Sequence, residues 1–254
     1  MSTDMSMIES EKYAYLAGLV DGDGHICYKV YGGGKYRYPL LEIISKDKKF
    51  LEAIGEEFGD GKYNIRCGDR SWKLAFGLPK SRELLRKIKR YSVLKQSDIE
   101  CVLSGCEIVR KRNPYKEVWK NMSGVEKEMY LAGLMDAEGS ICLVKSGNRY
   151  LKSVKISQCN EEFLEMLSAE YGGAVSKNEW RIPLRSLDKM EVFRENIRNE
   201  NKRKRLMYLY EMRKHNYEIR SGKFGAKILD EIYKRFKMEN DKYYKRLEIE
   251  YNGE

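Results

Sequence analysis

The chain holds two short words that end in acid and glycine. Residues 15–26 read "YLAGLVDGDGHI", and residues 130–141 read "YLAGLMDAEGSI". Each word runs apolar, then small, then acidic: Asp21-Gly22-Asp23-Gly24 in the first copy and Asp136-Ala137-Glu138-Gly139 in the second. A carboxylate offers hard oxygen atoms that only accept, and two of them held together repel until a cation lies between them. Mg2+ suits such a donor set, with Mn2+ or Ca2+ as alternatives. In a basic setting a cation so held can polarise a phosphate and activate water, the chemistry of phosphodiester hydrolysis. An EF-hand reading fails, because its twelfth position needs a glutamate and falls on Gly32 in one copy and Gly147 in the other. A structural turn is the competing reading, and recurrence of the acid at the same place in both words favours metal.

For Asp23 and Glu138 to meet, two helices must end side by side. Residues 13–20 and 128–135 have helix-forming composition, and Gly18-x-x-x-Gly22 and Gly133-x-x-x-Ala137 put small residues on one face of each. Such stripes let two backbones approach closely, here about a pseudo-twofold axis. A helix end also presents unpaired carbonyl oxygens and partial negative charge beside each acid. After each word comes a hairpin, "HICYKVY" to "RYPLLEIIS" in one half and "SICLVKS" to "YLKSVKISQ" in the other, with glycine-rich turns suited to positive φ. A helix with an Asx start follows, at Asp47 and at Asn160. A second hairpin and two further helices complete each half, the amphipathic words being "SRELLRKIKRYS" and "SLDKMEVFRENIRN". The expected organisation is a first repeat over residues 1–109, a linker over 110–124 where Asn113, Pro114 and Gly124 interrupt the pattern, a second repeat over 125–220, and a C-terminal helical extension over 221–254 acting as a strut.

The surroundings are basic. A formal net charge of +10 over 254 residues, with 35% charged residues and 19 tyrosines, favours a polyanionic partner. Absence of a membrane-length apolar run and of a signal-peptide core leads to the expectation of a soluble intracellular protein, cytoplasmic or nucleoid, with an organelle left open. The six cysteines form no CxxC pair, so they are expected reduced, and with only His25 and His215 in the chain a structural zinc site is not expected.

The two words resemble the signature motifs of the LAGLIDADG homing endonucleases in their monomeric, two-repeat form, and the order of elements is similar over roughly residues 7–217. The resemblance implies an α+β fold, a pseudo-twofold tandem repeat of αββαββα units. Two antiparallel four-stranded sheets would form a DNA-binding saddle along the major groove, with the motif helices at the interface. It implies a site-specific double-strand DNA endonuclease that hydrolyses phosphodiester bonds at a long asymmetric target with divalent metal. Cutting would cross the minor groove, one strand per acid, and leave short 3′ overhangs. Asp23 and Glu138 would hold metal with the carbonyls of Gly22 and Ala137, while Asp21 and Asp136 would be structural. Gln158, at the end of a strand, would position water, and Lys46 stands in its place in the first half, with Ser45 as the alternative. Lys95 and Lys202 would support charge near the scissile phosphate, with Lys204 a rival to Lys202.

DNA-binding candidates are Lys29, Lys35, Arg37, Arg66, Arg70, Trp72 and Lys73 in the first half, and Lys145, Arg149, Lys152, Lys155, Lys177, Arg181 and Arg185 in the second. Strand alternation sends only about half of these to one face. Because the halves differ throughout, the target should be asymmetric. The partner would be double-stranded DNA, bound by a monomer, with intron RNA as an added possibility and a non-cleaving maturase or regulator as the alternative function. The start "MSTD" and end "YNGE" lack splicing residues, so the reading is a freestanding protein of intron homing rather than an intein domain.

Overall fold

In a computed structural model of the chain, described over residues 9–106, 115–147, 149–218 and 224–252, the elements alternate between helices and antiparallel hairpins. In chain order they are α1 (Glu9–Asp23), β1 (Gly24–Tyr31), β2 (Tyr36–Ser45), α2 (Lys48–Gly59), β3 (Tyr63–Cys67), β4 (Trp72–Phe76), α3 (Leu78–Ile88), α4 (Gln96–Ser104), α5 (Tyr115–Asn121) and α6 (Gly124–Glu138). There follow β5 (Gly139–Ser146), β6 (Arg149–Ser157), α7 (Glu161–Tyr171), β7 (Ala174–Ser176), β8 (Glu179–Ile182), α8 (Leu184–Leu187), α9 (Glu191–Glu195), α10 (Glu200–Glu218) and α11 (Phe224–Asn252). The chain forms two compact units, one within Met1–Glu138 joined by Met190–Asn196, the other Gly139–Lys189 with Ile197–Glu254. Each unit contains one four-stranded antiparallel sheet, of order β1-β2-β4-β3 in the first and β5-β6-β8-β7 in the second.

The first unit is built on α1 against α6. Ala14 to Asp21 in α1 and Met129 to Asp136 in α6 are buried all round, so neither helix has the one-sided pattern of a surface helix. Glycine decides how close they come. A Cβ at Gly18 would lie 1.9 Å from the Tyr130 carbonyl oxygen, and a Cβ at Gly133 would lie 2.0 Å from the Tyr15 carbonyl oxygen. Only a residue without Cβ permits that approach. The chain passes from α1 into β1 without a loop, and a Cβ at Gly24 would lie 2.5 Å from the Val20 carbonyl oxygen, which explains the glycine that closes the word.

The first sheet carries Ile26, Leu41, Ile43, Trp72, Leu74 and Phe76 on the face covered by helices. Phe50, Leu51, Ile54 and Phe58 of α2 and Leu84, Leu85 and Ile88 of α3 complete that core. Asp47 caps α2 by accepting from the Phe50 N–H at 3.2 Å, and Asn160 caps α7 by accepting from the Phe163 N–H at 3.0 Å, as the Asx starts predict. The β1–β2 turn has positive φ at Gly32, Gly33 and Gly34. Within the stretch read as a linker, residues 115–121 are the helix α5, with Tyr115, Val118 and Trp119 buried and the Trp119 ring edge-on to Tyr130 at 5.8 Å. Residues 110–114 of that stretch lie outside the described residues.

In the second unit the hairpins repeat, but the helix expected over "SLDKMEVFRENIRN" is broken. It is the two short pieces α8 and α9, the latter in the first unit, where the Phe193 N–H donates to Glu128. Arg213 of α10 donates to the Leu184 carbonyl at 3.2 Å and to the Asp188 carboxylate at 2.7 Å, one at each end of α8. The extension is the single helix α11. Its buried Leu229, Ile232 and Phe236 follow helical spacing, and the Tyr233 ring meets that of Tyr150 of β6 at a tilt, 5.5 Å between centroids. Among the described residues no helix is long and apolar enough to cross a membrane.

Candidate active site and nucleic-acid faces

The four motif acids divide into two inner and two terminal. Asp21 is 3% exposed and its carboxylate accepts from five donors: the Ser92 hydroxyl at 2.6 Å, the backbone N–H groups of Val93, Leu94 and Lys95 at 2.6, 2.8 and 3.1 Å, and the Tyr130 hydroxyl at 2.8 Å. Burial pushes its pKa up, and the hydrogen bonds oppose that by favouring the carboxylate. Tyr130, fully buried beside that carboxylate, is pushed well above the ordinary phenol value and stays a donor. The second copy mirrors this, with the Tyr15 hydroxyl donating to Asp136 at 2.6 Å. The inner acids are therefore structural: each ties the end of one motif helix to a tyrosine of the other. Tyr130→Phe leaves one carboxylate acceptor site unfilled in the core, so the variant should lose roughly 1–3 kcal/mol in denaturant unfolding. A loss within error would show that the crossed bonds do not hold the interface.

Asp23 and Glu138 are the last residues of α1 and α6, and both are half-buried. The two ends adjoin, since a Cβ at Gly22 would lie 2.3 Å from the Ala137 Cβ and 3.1 Å from the Glu138 Cγ. Lys95, which enters α4, puts its ammonium under the end of α1, donating to the carbonyl oxygens of Val20 at 2.8 Å, Gly22 at 3.3 Å and Gly24 at 2.6 Å. Burial lowers its pKa, and Asp21, Asp23, Asp98 and Glu138 oppose that by attraction. The first unit thus brings together Asp23, Glu138, Gly22, Ala137 and Lys95. Among the described residues no group of three or more His, Cys, Asp or Glu could hold a metal ion by itself. Two carboxylates with neighbouring carbonyls nevertheless fit a hard cation that keeps several ligands for water and substrate phosphate, as Mg2+ does.

The remaining polar candidates stand at element ends. Lys46 is exposed just past β2. Gln158 follows β6, its N–H donating to the Asn178 carbonyl at 2.8 Å and its side-chain oxygen accepting from the Cys159 N–H at 2.7 Å. Lys202 lies in the first turn of α10, its N–H donating to the Asn199 side chain at 3.1 Å. Its rival Lys204 is engaged between α10 and α11, 2.8 Å from Glu200 and 4.0 Å from Glu239.

Register divides the basic candidates. Residues opposite each other across antiparallel strands share a face. In the first sheet Lys29 opposes Tyr38, and Arg66 opposes Lys73, all on the face away from the helices. In the second, Lys155 opposes both Ser140 and Arg181, and Arg149 opposes Ser146, again on the open face. Arg66 is oriented by Glu42 at 3.1 Å and Lys155 by Glu179 at 2.9 Å. Lys35, Arg70 and Lys177 lie in turns between strands.

Five of the expected DNA contacts are placed off the open strand faces. Trp72 is 1% exposed, packed in the core with Lys48 over its ring at 4.4 Å, so it has no face to offer a base. Lys145 opposes Tyr150 on the covered side, and both bond to Asp230 of α11. Lys152 is on the same side, its pKa lowered by burial and by Arg213. Arg37 opposes Val30 on the covered side of the first sheet, at its outer end. Arg185 sits in α8 rather than on a strand. Missing from the sequence reading were the motif tyrosines Tyr15 and Tyr130, whose signal was their presence at the same place in both words, and the open-face side chains Tyr38, Val144 and Leu151.

No family model matches the sequence, and no curated protein matches it. Solved structures do match in fold. The LAGLIDADG homing endonuclease I-GzeII in complex with DNA target has a TM-score of 0.59 at 15% identity, over 87% of this chain and 96% of that one. The LAGLIDADG meganuclease I-AabMI bound to uncleaved DNA gives 0.59 at 14%, over 87% and 97%. I-SmaMI, bound to uncleaved DNA target in the presence of calcium ions, gives 0.58 at 15%, over 87% and 97%. The chain has the two-repeat fold of these proteins, with mixed helices and strands and two antiparallel four-stranded sheets.

Proposed function

We propose that the chain is itself a LAGLIDADG homing endonuclease: a monomeric, divalent-metal-dependent enzyme that cuts both strands of double-stranded DNA at one long asymmetric site. The observation that carries this reading is the adjoining of the α1 and α6 ends, which brings the half-buried Asp23 and Glu138 to one place, while the inner acids bond to the tyrosines of the opposite helix. Asp23 and Glu138 would hold the cation, with the carbonyls of Gly22 and Ala137 beside them. Once bound, a divalent cation supplies Lewis acidity at a phosphate oxygen and acidifies a water. Lys95 places positive charge next to the same carboxylates and limits their repulsion before the cation arrives. Gln158 and Lys46 would orient water from the strand ends, and Lys202 would add charge near the phosphate. Presence of both terminal acids favours cleavage over a maturase or regulator that only binds. Intron homing, and short 3′ overhangs left by one cut per acid, belong to the same reading.

The open sheet faces would carry DNA contact, with Lys29, Arg66, Lys73, Arg149, Lys155 and Arg181 as the residues that reach it. Lys73→Ala should weaken binding across all sequences and reduce the slope of log K against log salt by about one. Lys145→Ala, which loosens α11 instead, should leave that slope unchanged. Equal slopes for wild type and Lys73→Ala in a fluorescence titration would remove the open face as the binding surface. The function itself is tested by selecting cleaved sites from a randomised duplex library in Mg2+.

A further inference from the structure

On the open face of the second sheet, Val144 and Leu151 oppose each other and are 51% and 58% exposed. Two branched apolar side chains side by side and more than half exposed make a small apolar patch rimmed by polar and basic residues, a composition that suits a contact surface. The helices of that unit lie on the other side, where Lys145 and Tyr150 meet α11. Among the described residues of the unit nothing covers the pair. The residues around it are those of a surface that meets polyanion: Arg149, Lys155 and Arg181 on the same face, with Ser140, Ser146 and Ser153 between them. The corresponding place in the first sheet is occupied by Lys29 opposite Tyr38, a cation and a phenol.

Major-groove edges offer one apolar group, the C5 methyl of thymine, and short apolar side chains are what read it. A valine and a leucine cannot donate to a guanine or accept from a cytosine, and placed against those edges they would strip polar groups of water without replacing the hydrogen bonds. Set against a major-groove edge, Val144 and Leu151 would accept an A·T pair and disfavour G·C, in either strand orientation that brings the methyl beneath them. We infer that Val144 and Leu151 form a thymine-methyl subsite that specifies A·T in the half of the DNA target read by the second sheet, whereas Lys29 and Tyr38 leave the matching place in the other half free to take a hydrogen-bonding base. This inference rests on the proposed function and adds to it which residues set one part of the target.

Deoxyuridine isolates the methyl, since it differs from thymidine by that group alone. The site recovered from the randomised duplex library would be resynthesised with each thymine of the second-sheet half replaced singly by deoxyuridine, and binding measured in Ca2+. One or two replacements should weaken binding about three- to fourfold per methyl. Val144→Ser with Leu151→Ser, both exposed and so tolerated by the fold, should bind thymine and deoxyuridine duplexes equally. The same double substitution should relax the library consensus at those positions while the rest of the site stays unchanged. A recovered site without thymine in that half, or deoxyuridine duplexes bound as tightly as thymine by wild type, would overturn the inference while leaving the endonuclease in place. Recovery of no specific site at all would overturn the proposed function, and the subsite with it.

Discussion

Asp23→Asn combined with Glu138→Gln should abolish double-strand cleavage and leave specific DNA binding within a few-fold of wild type. Both substitutions keep side-chain size and remove charge, and neither residue belongs to the buried bonds that join α1 to α6. The cation, attracted by two carboxylates, would lose most of its affinity for the site. Losing the water activation and phosphate polarisation that a cation held by Asp23 and Glu138 would supply should cost at least about 10³ in rate, or roughly 4 kcal/mol of transition-state stabilisation. Each single variant should accumulate nicked product, because one acid serves one strand in this account. Single-turnover cleavage on a supercoiled plasmid separates nicking from linearisation. Double-strand cutting by the double variant at the wild-type rate would place the chemistry elsewhere.

Gly18→Val should unfold the first unit or leave it close to unfolding. The new Cβ would fall 1.9 Å from the Tyr130 carbonyl oxygen, a backbone atom held within α6 that no rotamer change can move. Overpacking by one or two methylenes in a core costs about 1–3 kcal/mol when side chains can shift. Here two helices must separate, which would break the bonds from Tyr15 to Asp136 and from Tyr130 to Asp21. The total should exceed about 4 kcal/mol, a large part of an ordinary domain's stability. Gly124 supplies the control, since nothing lies within 4 Å of a Cβ there. Gly124→Ala at the start of α6 should be neutral or stabilising by up to about 1 kcal/mol. If Gly18→Val melts with wild type in differential scanning calorimetry, the helices are not packed as closely as the glycines indicate.

Local signals in the sequence suffice where a residue's own chemistry decides the outcome. The Asx caps at Asp47 and Asn160 form because a short acceptor side chain reaches the N–H three residues on, and nothing distant competes. The glycines of the two words predict a close helix pair because no other residue permits one. Face assignment was harder. Lys145, Lys152 and Lys155 look alike in sequence, and only the pairing of β5 with β6 shows that the first two turn toward α11 and α10 while the third turns away. Trp72 differs from its expected place for a related reason: an aromatic residue in a strand suits a stacked base or a core equally, and the register of Ser45 against Trp72 decides for the core. The break between α8 and α9 is not legible locally, where the partner of Leu184 and Asp188 is Arg213 of α10. Crossed hydrogen bonds between Tyr15 and Asp136 and between Tyr130 and Asp21 were within reach, because the four residues recur in register in the two words.

The most direct test of the central claim is to incubate the full-length chain with a randomised duplex DNA library in Mg2+ and sequence the ends it produces. The account predicts one long asymmetric site, both strands cut a few bases apart to leave 3′ overhangs, and no product from the Asp23→Asn, Glu138→Gln double variant. Specific retention of one duplex by wild type, with neither strand ever cut in Mg2+ or Mn2+, would contradict it and leave a DNA-binding protein whose acids serve only the fold.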